Sequence, residues 1–253
     1  MEFAIIGGTG VYSAGESRKE LVKTEYGDVQ VDIVKTGGIE VVFLPRHGGE
    51  HSLPPHLINY RANIKALKDL GVKFIYSTCA VGSMNRNYGV GDVVIINDFL
   101  DFTKNRKSTF FEGETGVKHV LMNEPYSSYM NEKFREEARK SDLDIKGEAV
   151  YVTTEGPRFE TAAEIKFYAQ VGGDVAGMTN FPEVVLAKEL KMGYSAVGIV
   201  TNMCTGMTSS IELHDIEGSV AQNKGKIIDC FVGAFKSGLD YEKLDLDKQL
   251  IEL

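Results

Sequence analysis

Only three cysteines, Cys79, Cys204 and Cys230, occur in 253 residues. An odd number without paired spacing argues against a disulfide framework and gives no zinc-binding pattern. No apolar run approaches the roughly 20 residues that a membrane-spanning helix needs. The opening Met1-Glu2-Phe3-Ala4-Ile5-Ile6-Gly7 has no basic segment and enters a strand-like run at once, so it does not read as a secretory signal. Positive charge is in the minority. The formal net charge of −8 speaks against nucleic acid as a partner. Together these absences point to a cytoplasmic protein with neither a membrane nor a nucleic-acid partner. An acidic chain that binds a small anion must concentrate its positive groups locally.

What is present is the balance of an ordinary globular protein, 43% hydrophobic and 25% charged. There is no internal repeat and no low-complexity linker, so 1–253 reads as a single domain, with a charged tail over 238–253 that packs loosely. Strand-like runs fall at Phe3–Gly7, Val29–Val34, Glu40–Leu44, Lys73–Thr78, Asp92–Ile96, Glu148–Thr153 and Tyr194–Thr201. The nearly all-apolar Ile39–Leu44 and Ala196–Val200 fit strands buried on both faces. Helical patterns alternate with them. Pro55–Leu70 repeats Leu57, Tyr60, Ile64 and Leu67 at helical spacing before Gly71. Asn131–Lys140 is charged and reads as exposed. Thr161 with Glu164 forms a capping-box pattern, and Asn180 with Glu183 signals another helix start. About Asp215–Lys236 carries Ile216, Val220, Ile227, Phe231 and Phe235 on one face. The alternation predicts an α/β fold with a central mixed β-sheet flanked by helices, whose ligands bind beyond the strand ends.

Several segments at such ends could carry chemistry. Gly7-Gly8-Thr9-Gly10 follows a buried strand, so its amides could meet an anion with Thr9 adding a hydroxyl; a plain tight turn is the alternative. A dinucleotide loop would need glycine at position 12 or 13, which are Tyr12 and Ser13. In Pro45-Arg46-His47-Gly48-Gly49 the guanidinium fork matches two phosphate oxygens and His47 adds a donor, or else Arg46 simply pairs with a nearby acid. Ser77–Ser83 reads as a small-residue turn in which Cys79 fills space rather than acting as a nucleophile. Glu160 is either a surface acid beside a helix start or an acceptor for N–H groups of a bound base, with Phe159 against the ring face. Met178 could flank a flat substrate and Thr179 could donate to an anion, against the simpler reading of core residue and cap. Asn202 ends the most apolar strand and can both donate and accept; His214 could bond a hydroxyl or be structural.

In their order along the chain these segments resemble the trimeric purine nucleoside phosphorylase family, and its methylthioadenosine phosphorylase branch in particular. The motifs are Gly-Gly-Thr-Gly at 7–10, Arg46-His47-Gly48, Asn59-Tyr60-Arg61-Ala62-Asn63, Thr153-Thr154-Glu155-Gly156-Pro157-Arg158-Phe159, Met178-Thr179 with Pro182-Glu183-Val184-Val185-Leu186-Ala187, and Thr201-Asn202. The resemblance implies a phosphate site at Thr9, Arg46, His47, Cys79, Ala80 and Thr179. It places Met178 under the ribose and Asn202, Met203 and Cys204 at the base. His119 resembles the histidine that reaches a neighbouring subunit's site, which implies a homo-oligomer, a trimer or a dimer of trimers. Inorganic phosphate is the co-substrate, and no metal or organic cofactor is implied.

Departures from the methylthioadenosine branch bear on the substrate. That branch carries Asp where this chain has Asn202 and Cys204, and a small residue where it has Glu160. Phe159-Glu160-Thr161 instead resembles the inosine and guanosine phosphorylases. Glu160 accepts where hypoxanthine or guanine donates, and Asn202 donates where they accept. A mispaired buried polar group costs roughly 1–3 kcal/mol, enough to discriminate between bases. The expected activity is phosphorolysis of 6-oxopurine nucleosides to free base and ribose 1-phosphate, with Asn202, Glu160 and His47 in the catalytic roles. Methylthioinosine or methylthioadenosine is the alternative substrate, because His214 resembles a residue contacting a 5′-hydroxyl whereas an apolar group there would favour a 5′-methylthio group.

Overall fold

Short β-branched runs become strands, and their ends gather the segments singled out above. The computed structural model describes residues 1–8, 17–48, 53–113, 116–208 and 213–252, and the side chains of the last helix at 218 and from 220 onward. The strands are β1 (Phe3–Gly7), β2 (Ser17–Thr24), β3 (Gly27–Thr36), β4 (Ile39–Pro45), β5 (Phe74–Ser83), β6 (Val93–Phe102), β7 (Lys118–Val120), β8 (Ile145–Thr154), β9 (Val175–Gly177), β10 (Gly193–Met203) and β11 (Leu250–Glu252). The helices are α1 (Tyr60–Asp69), α2 (Ser128–Lys140), α3 (Ala162–Gln170), α4 (Asn180–Glu189) and α5 (Leu213–Lys236).

Nine strands form one mixed sheet in the order β10-β6-β8-β9-β5-β1-β4-β3-β2, as the alternation predicts. A further parallel pairing joins β10 to β5, so β5, β10, β6, β8 and β9 close on themselves while β1 to β4 extend from β5 as an open wing. Periodicity within one strand cannot reveal that closure. One core packs around α1 and α4 with Ile6, Leu44, Ile64, Leu67, Val184 and Leu186. A second packs α2 and α5 on the opposite face through Phe134, Ile227, Phe231 and Phe235. There Tyr76 and Phe231 stack with ring centroids 4.6 Å apart and planes 5° from parallel.

Several expectations change. The segment Ser77–Ser83 is not a turn but the second half of β5, extended by ten register pairs with β10. Pro55–Leu70 divides into a short 3-10 turn at Pro55–Leu57 and α1, because Asn59 caps the helix by accepting from the Ala62 amide at 3.1 Å; Leu57 is left exposed. The expected exposed helix over 131–140 starts at Ser128 and buries Met130, Asn131, Phe134 and Ala138 beneath its charged face. The capping box of Thr161 and Glu164 is present. On α5, Val220, Ile227, Phe231 and Phe235 are buried, whereas Ile216 lies outside the described side chains. The tail is not loose: Leu244 and Leu246 are buried, and β11 pairs antiparallel with β7. Among the described residues no helix is long and apolar enough to cross a membrane.

Phe231 joins α5 to the sheet through Tyr76 and to α2 through Phe134, 5.3 Å away between centroids. Phe231→Ala is therefore expected to lower stability by about 3–5 kcal/mol in urea unfolding. A loss below about 1 kcal/mol would show that α5 is not anchored there.

Candidate active site

The C-terminal ends of β5, β9 and β10, the segments that follow β4 and β8, and the start of α4 surround a cavity of about 240 Å³. Arg46 follows β4 directly. Its amide donates to the Gly7 carbonyl at 3.1 Å, so the chain is turned in towards β1. A Cβ at Gly8 would stand 2.4 Å from the Thr78 carbonyl oxygen and 2.9 Å from Arg46 Nη1, which leaves room only for glycine. The Gly8 amide itself donates to Thr78 Oγ1 at 3.0 Å.

Arg46 is buried, and an acid answers it. Nε donates to Glu183 Oε2 at 2.7 Å and Nη2 to Glu183 Oε1 at 2.8 Å. Nη2 also donates to Ser77 Oγ at 2.5 Å, and Nη1 to the Thr78 carbonyl at 2.9 Å. Both members of the pair have fully buried side chains. Burial opposes the charge on Arg46, but the adjacent Glu183 carboxylate outweighs it, so its pKa is raised and the guanidinium stays charged. The expected fork towards two phosphate oxygens is thereby corrected. The Nε–Nη2 edge grips Glu183, because a guanidinium taken out of water needs a countercharge. Four of its five N–H groups are used among the described residues, leaving one on Nη1.

Glu183 is a residue that sequence reasoning misplaced. Its pairing with Asn180 looked like a local helix-start signal, yet neither side chain caps α4. Glu183 holds Arg46 and accepts from Tyr194 OH at 2.5 Å. Asn180 donates to Cys79 Sγ at 3.5 Å, and its Oδ1 lies 3.2 Å from Tyr194 OH, whose one proton goes to the closer, charged Glu183. Thr179 occupies the N-cap without a side-chain cap bond and lines the cavity. His47 lies next to Arg46, with Nδ1 2.9 Å from the Leu53 carbonyl. A carbonyl only accepts, so Nδ1 carries a proton.

From this end β5 runs along the cavity through Cys79, Ala80, Val81 and Gly82, a rise of roughly 10 Å. Burial pushes the Cys79 thiol up to about 12, which keeps it protonated and unreactive. At the far end Glu160, Asn202 and Cys204 converge. Glu160 is only 8% exposed, and its Oε1 accepts from Thr154 Oγ1 at 2.5 Å. Asn202 Nδ2 donates to the Met203 carbonyl at 3.0 Å, while Oδ1 accepts from Thr201 Oγ1 at 3.0 Å. The Met203 carbonyl fixes which amide atom is nitrogen. One Asn202 N–H and one carbonyl lone pair are left over. Burial, with Glu160 adding to it, pushes the Cys204 thiol up to about 12. A Cβ on Gly82 would lie 3.0 Å from both Asn202 Nδ2 and Cys204 Sγ, so glycine there admits both side chains.

The model of the phosphorylase superfamily matches residues 2–233. The chain belongs to that superfamily. The 6-oxopurine nucleoside phosphorylase of Pyrococcus furiosus is 48% identical over 233 residues, covering 89% of this chain and 88% of that protein. A probable S-methyl-5′-thioinosine phosphorylase of Methanopyrus kandleri is 48% identical over 207 residues, 81% of this chain and 80% of that one. The solved methylthioadenosine phosphorylase from an antarctic soil metagenomic library superimposes with a TM-score of 0.88 at 34% identity, over 99% of this chain and 92% of that one.

In this member of the phosphorylase superfamily, Arg46, His47, Cys79, Ala80, Phe159, Glu160, Met178, Thr179, Asn202 and Cys204 line one cavity. Met203 does not line it; its carbonyl accepts from Asn202 Nδ2. His119 is exposed on β7, in register with Ile251, and is not part of its own chain's cavity. Thr9 and the His214 side chain lie outside the described residues. Sequence reasoning missed Thr154 and Thr201 as supports, and Pro55, Pro157 and Thr205 as lining residues. Thr154, Pro157 and Thr201 stood inside the quoted motifs without a role, and Pro55 and Thr205 lay outside them.

Glu183→Gln keeps the shape but removes the charge facing a buried guanidinium. It is expected to cost about 3–5 kcal/mol in urea unfolding. A change within about 1 kcal/mol would mean that Arg46 is compensated by something other than Glu183.

Proposed function

We propose that this protein is a purine nucleoside phosphorylase that cleaves 6-oxopurine nucleosides with inorganic phosphate, releasing the base and ribose 1-phosphate. The observation that carries the reading is the polar pair at one end of the cavity. Glu160 has one carboxylate oxygen committed to Thr154 and the other left to accept, and Asn202 keeps one donor and one acceptor. Hypoxanthine and guanine offer N1–H to the first and O6 to the second. Adenine presents an acceptor at N1, which the Glu160 carboxylate cannot satisfy.

Phosphate sits at the other end, against the Arg46 Nη1 N–H, His47, the Ala80 main chain and Thr179. Cys79 has only its backbone to offer, because its thiol is neutral and held between Asn180 and the Val197 carbonyl. As the glycosidic bond stretches, the phosphate charge stabilises the oxocarbenium-like ribose and a phosphate oxygen then attacks C1′. Asn202 and Glu160 hold the departing purine as negative charge develops on it. The acceleration comes from positioning and fixed electrostatics, without a covalent enzyme intermediate. The reading calls on phosphate alone as co-substrate, with no metal or organic cofactor. It includes a cytoplasmic setting and a homo-oligomer, a trimer or a dimer of trimers, in which His119 reaches a neighbouring subunit's cavity.

The same base end serves 5′-methylthioinosine, which also carries hypoxanthine, and the Methanopyrus kandleri relative bears a name of that kind. Kinetic comparison of inosine, guanosine, adenosine, methylthioinosine and methylthioadenosine tests both readings. The 6-oxopurine members are expected to exceed their 6-amino counterparts in kcat/KM by tenfold or more, and Asn202→Asp is expected to narrow that gap. A wild-type preference for adenosine or methylthioadenosine would overturn the assignment of the base.

A further inference from the structure

Behind the base end stands a buried arginine that touches no part of the cavity. The Arg106 side chain is 2% exposed. Its Nη2 donates to the main-chain carbonyls of Thr154 at 3.2 Å and Glu155 at 3.0 Å. Its Nη1 donates to the Phe181 carbonyl at 2.7 Å and to Tyr60 OH at 3.1 Å, and the guanidinium lies 5.3 Å from the Tyr60 ring centre. The Glu155 carboxylate in turn accepts from the amides of Lys104 at 2.6 Å and Asn105 at 3.3 Å, the residues just before Arg106. One side chain thus fastens the end of β8, which leads into Phe159 and Glu160, to the first turn of α4, which follows Thr179.

Thr154 carries this brace into the site. Its carbonyl is held by Arg106, and its hydroxyl is 2.5 Å from Glu160 Oε1 and 3.4 Å from the Gly177 carbonyl. A hydroxyl has one proton, and the shorter, charge-assisted contact takes it. With Oε1 occupied, Oε2 is the oxygen left to meet a ligand. Neither Arg106 nor Thr154 lines the cavity.

We propose that Arg106 and Thr154 are the positioning pair that sets the preference for a 6-oxopurine base: Arg106 fixes the backbone of Thr154, and the Thr154 hydroxyl locks the Glu160 carboxylate so that one oxygen faces the N1–H of the base. The inference rests on the assignment of Glu160 as the acceptor for the base. For Thr154 it predicts a loss confined to base recognition, because the phosphate end has its own support in Glu183.

The test is steady-state phosphorolysis of inosine and adenosine by wild type, Thr154→Val and Thr154→Ser. Valine keeps the volume and removes the donor; serine keeps the donor. Thr154→Val is expected to lower kcat/KM for inosine by about tenfold or more, leaving adenosine turnover and the KM for phosphate close to wild type. Thr154→Ser is expected to restore the inosine-to-adenosine ratio. If Thr154→Val does not fold, Thr154→Ala compared with Thr154→Ser gives the same contrast. Arg106→Gln, which loosens both walls, is expected to lower kcat for inosine and raise the KM for phosphate together. A wild-type preference for adenosine overturns the base assignment, and this inference with it. A wild-type preference for inosine that valine or alanine leaves intact, or that serine fails to preserve, overturns the positioning role alone.

Discussion

A single carboxylate, buried beyond the reach of water, orders the Arg46 end of the cavity. Glu183 accepts two N–H groups from Arg46, the hydroxyl of Tyr194 and, at 3.3 Å, that of Ser77. It thereby ties α4 to the end of β4, to β5 and to β10. A buried ion pair contributes little net stability, because desolvating both charges offsets much of their attraction. What it provides is a fixed geometry. Arg46 cannot swing out, and its remaining N–H faces a set direction. The proposed phosphate would meet prearranged donors around a charge already balanced.

Closure of the strand ring makes the other end possible. Because β10 pairs with β5 as well as β6, Asn202 and Cys204 come to lie over Gly82, while β8 delivers Thr154 and the loop to Glu160. The β5 stretch from Cys79 to Gly82 links the two ends, so their separation is set by strand geometry rather than by loops. Much of the support comes from different residues at each end, Glu183, Tyr194 and Ser77 at one and Thr154 and Thr201 at the other, while Arg106 joins the two walls.

Local chemistry made much of this legible. The runs at 3–7, 40–44 and 194–201 read as strands because β-branched and apolar residues lie between glycines, and each lies within a strand. Arg46 and Asn202 stood out because polar groups at the ends of apolar strands have few reasons to be there, and Glu160 because it stands beside Phe159 before a helix start. The hidden part was long-range. Nothing near Arg46 announces a partner 137 residues away, and Glu183 sat where a helix-start acid is expected. Strand β2 was missed because its outward side chains are polar, in Arg18-Lys19-Glu20, and its pairing with β3 supplies what its composition does not. The tail was misread for the same reason: its charged residues conceal Leu244 and Leu246, which pack only once α2 and β10 are in place. Met203 stood with its neighbours at a strand end, yet only those neighbours, Asn202 and Cys204, line the cavity.

The central claim is that phosphate is the nucleophile. Phosphorus NMR of the protein with inosine and inorganic phosphate tests it directly. The account predicts that the phosphate resonance declines as a sugar phosphate monoester grows in step with released hypoxanthine, and that no base is released when phosphate is left out. Hypoxanthine released at an undiminished rate without phosphate, with free ribose as the second product, would contradict it.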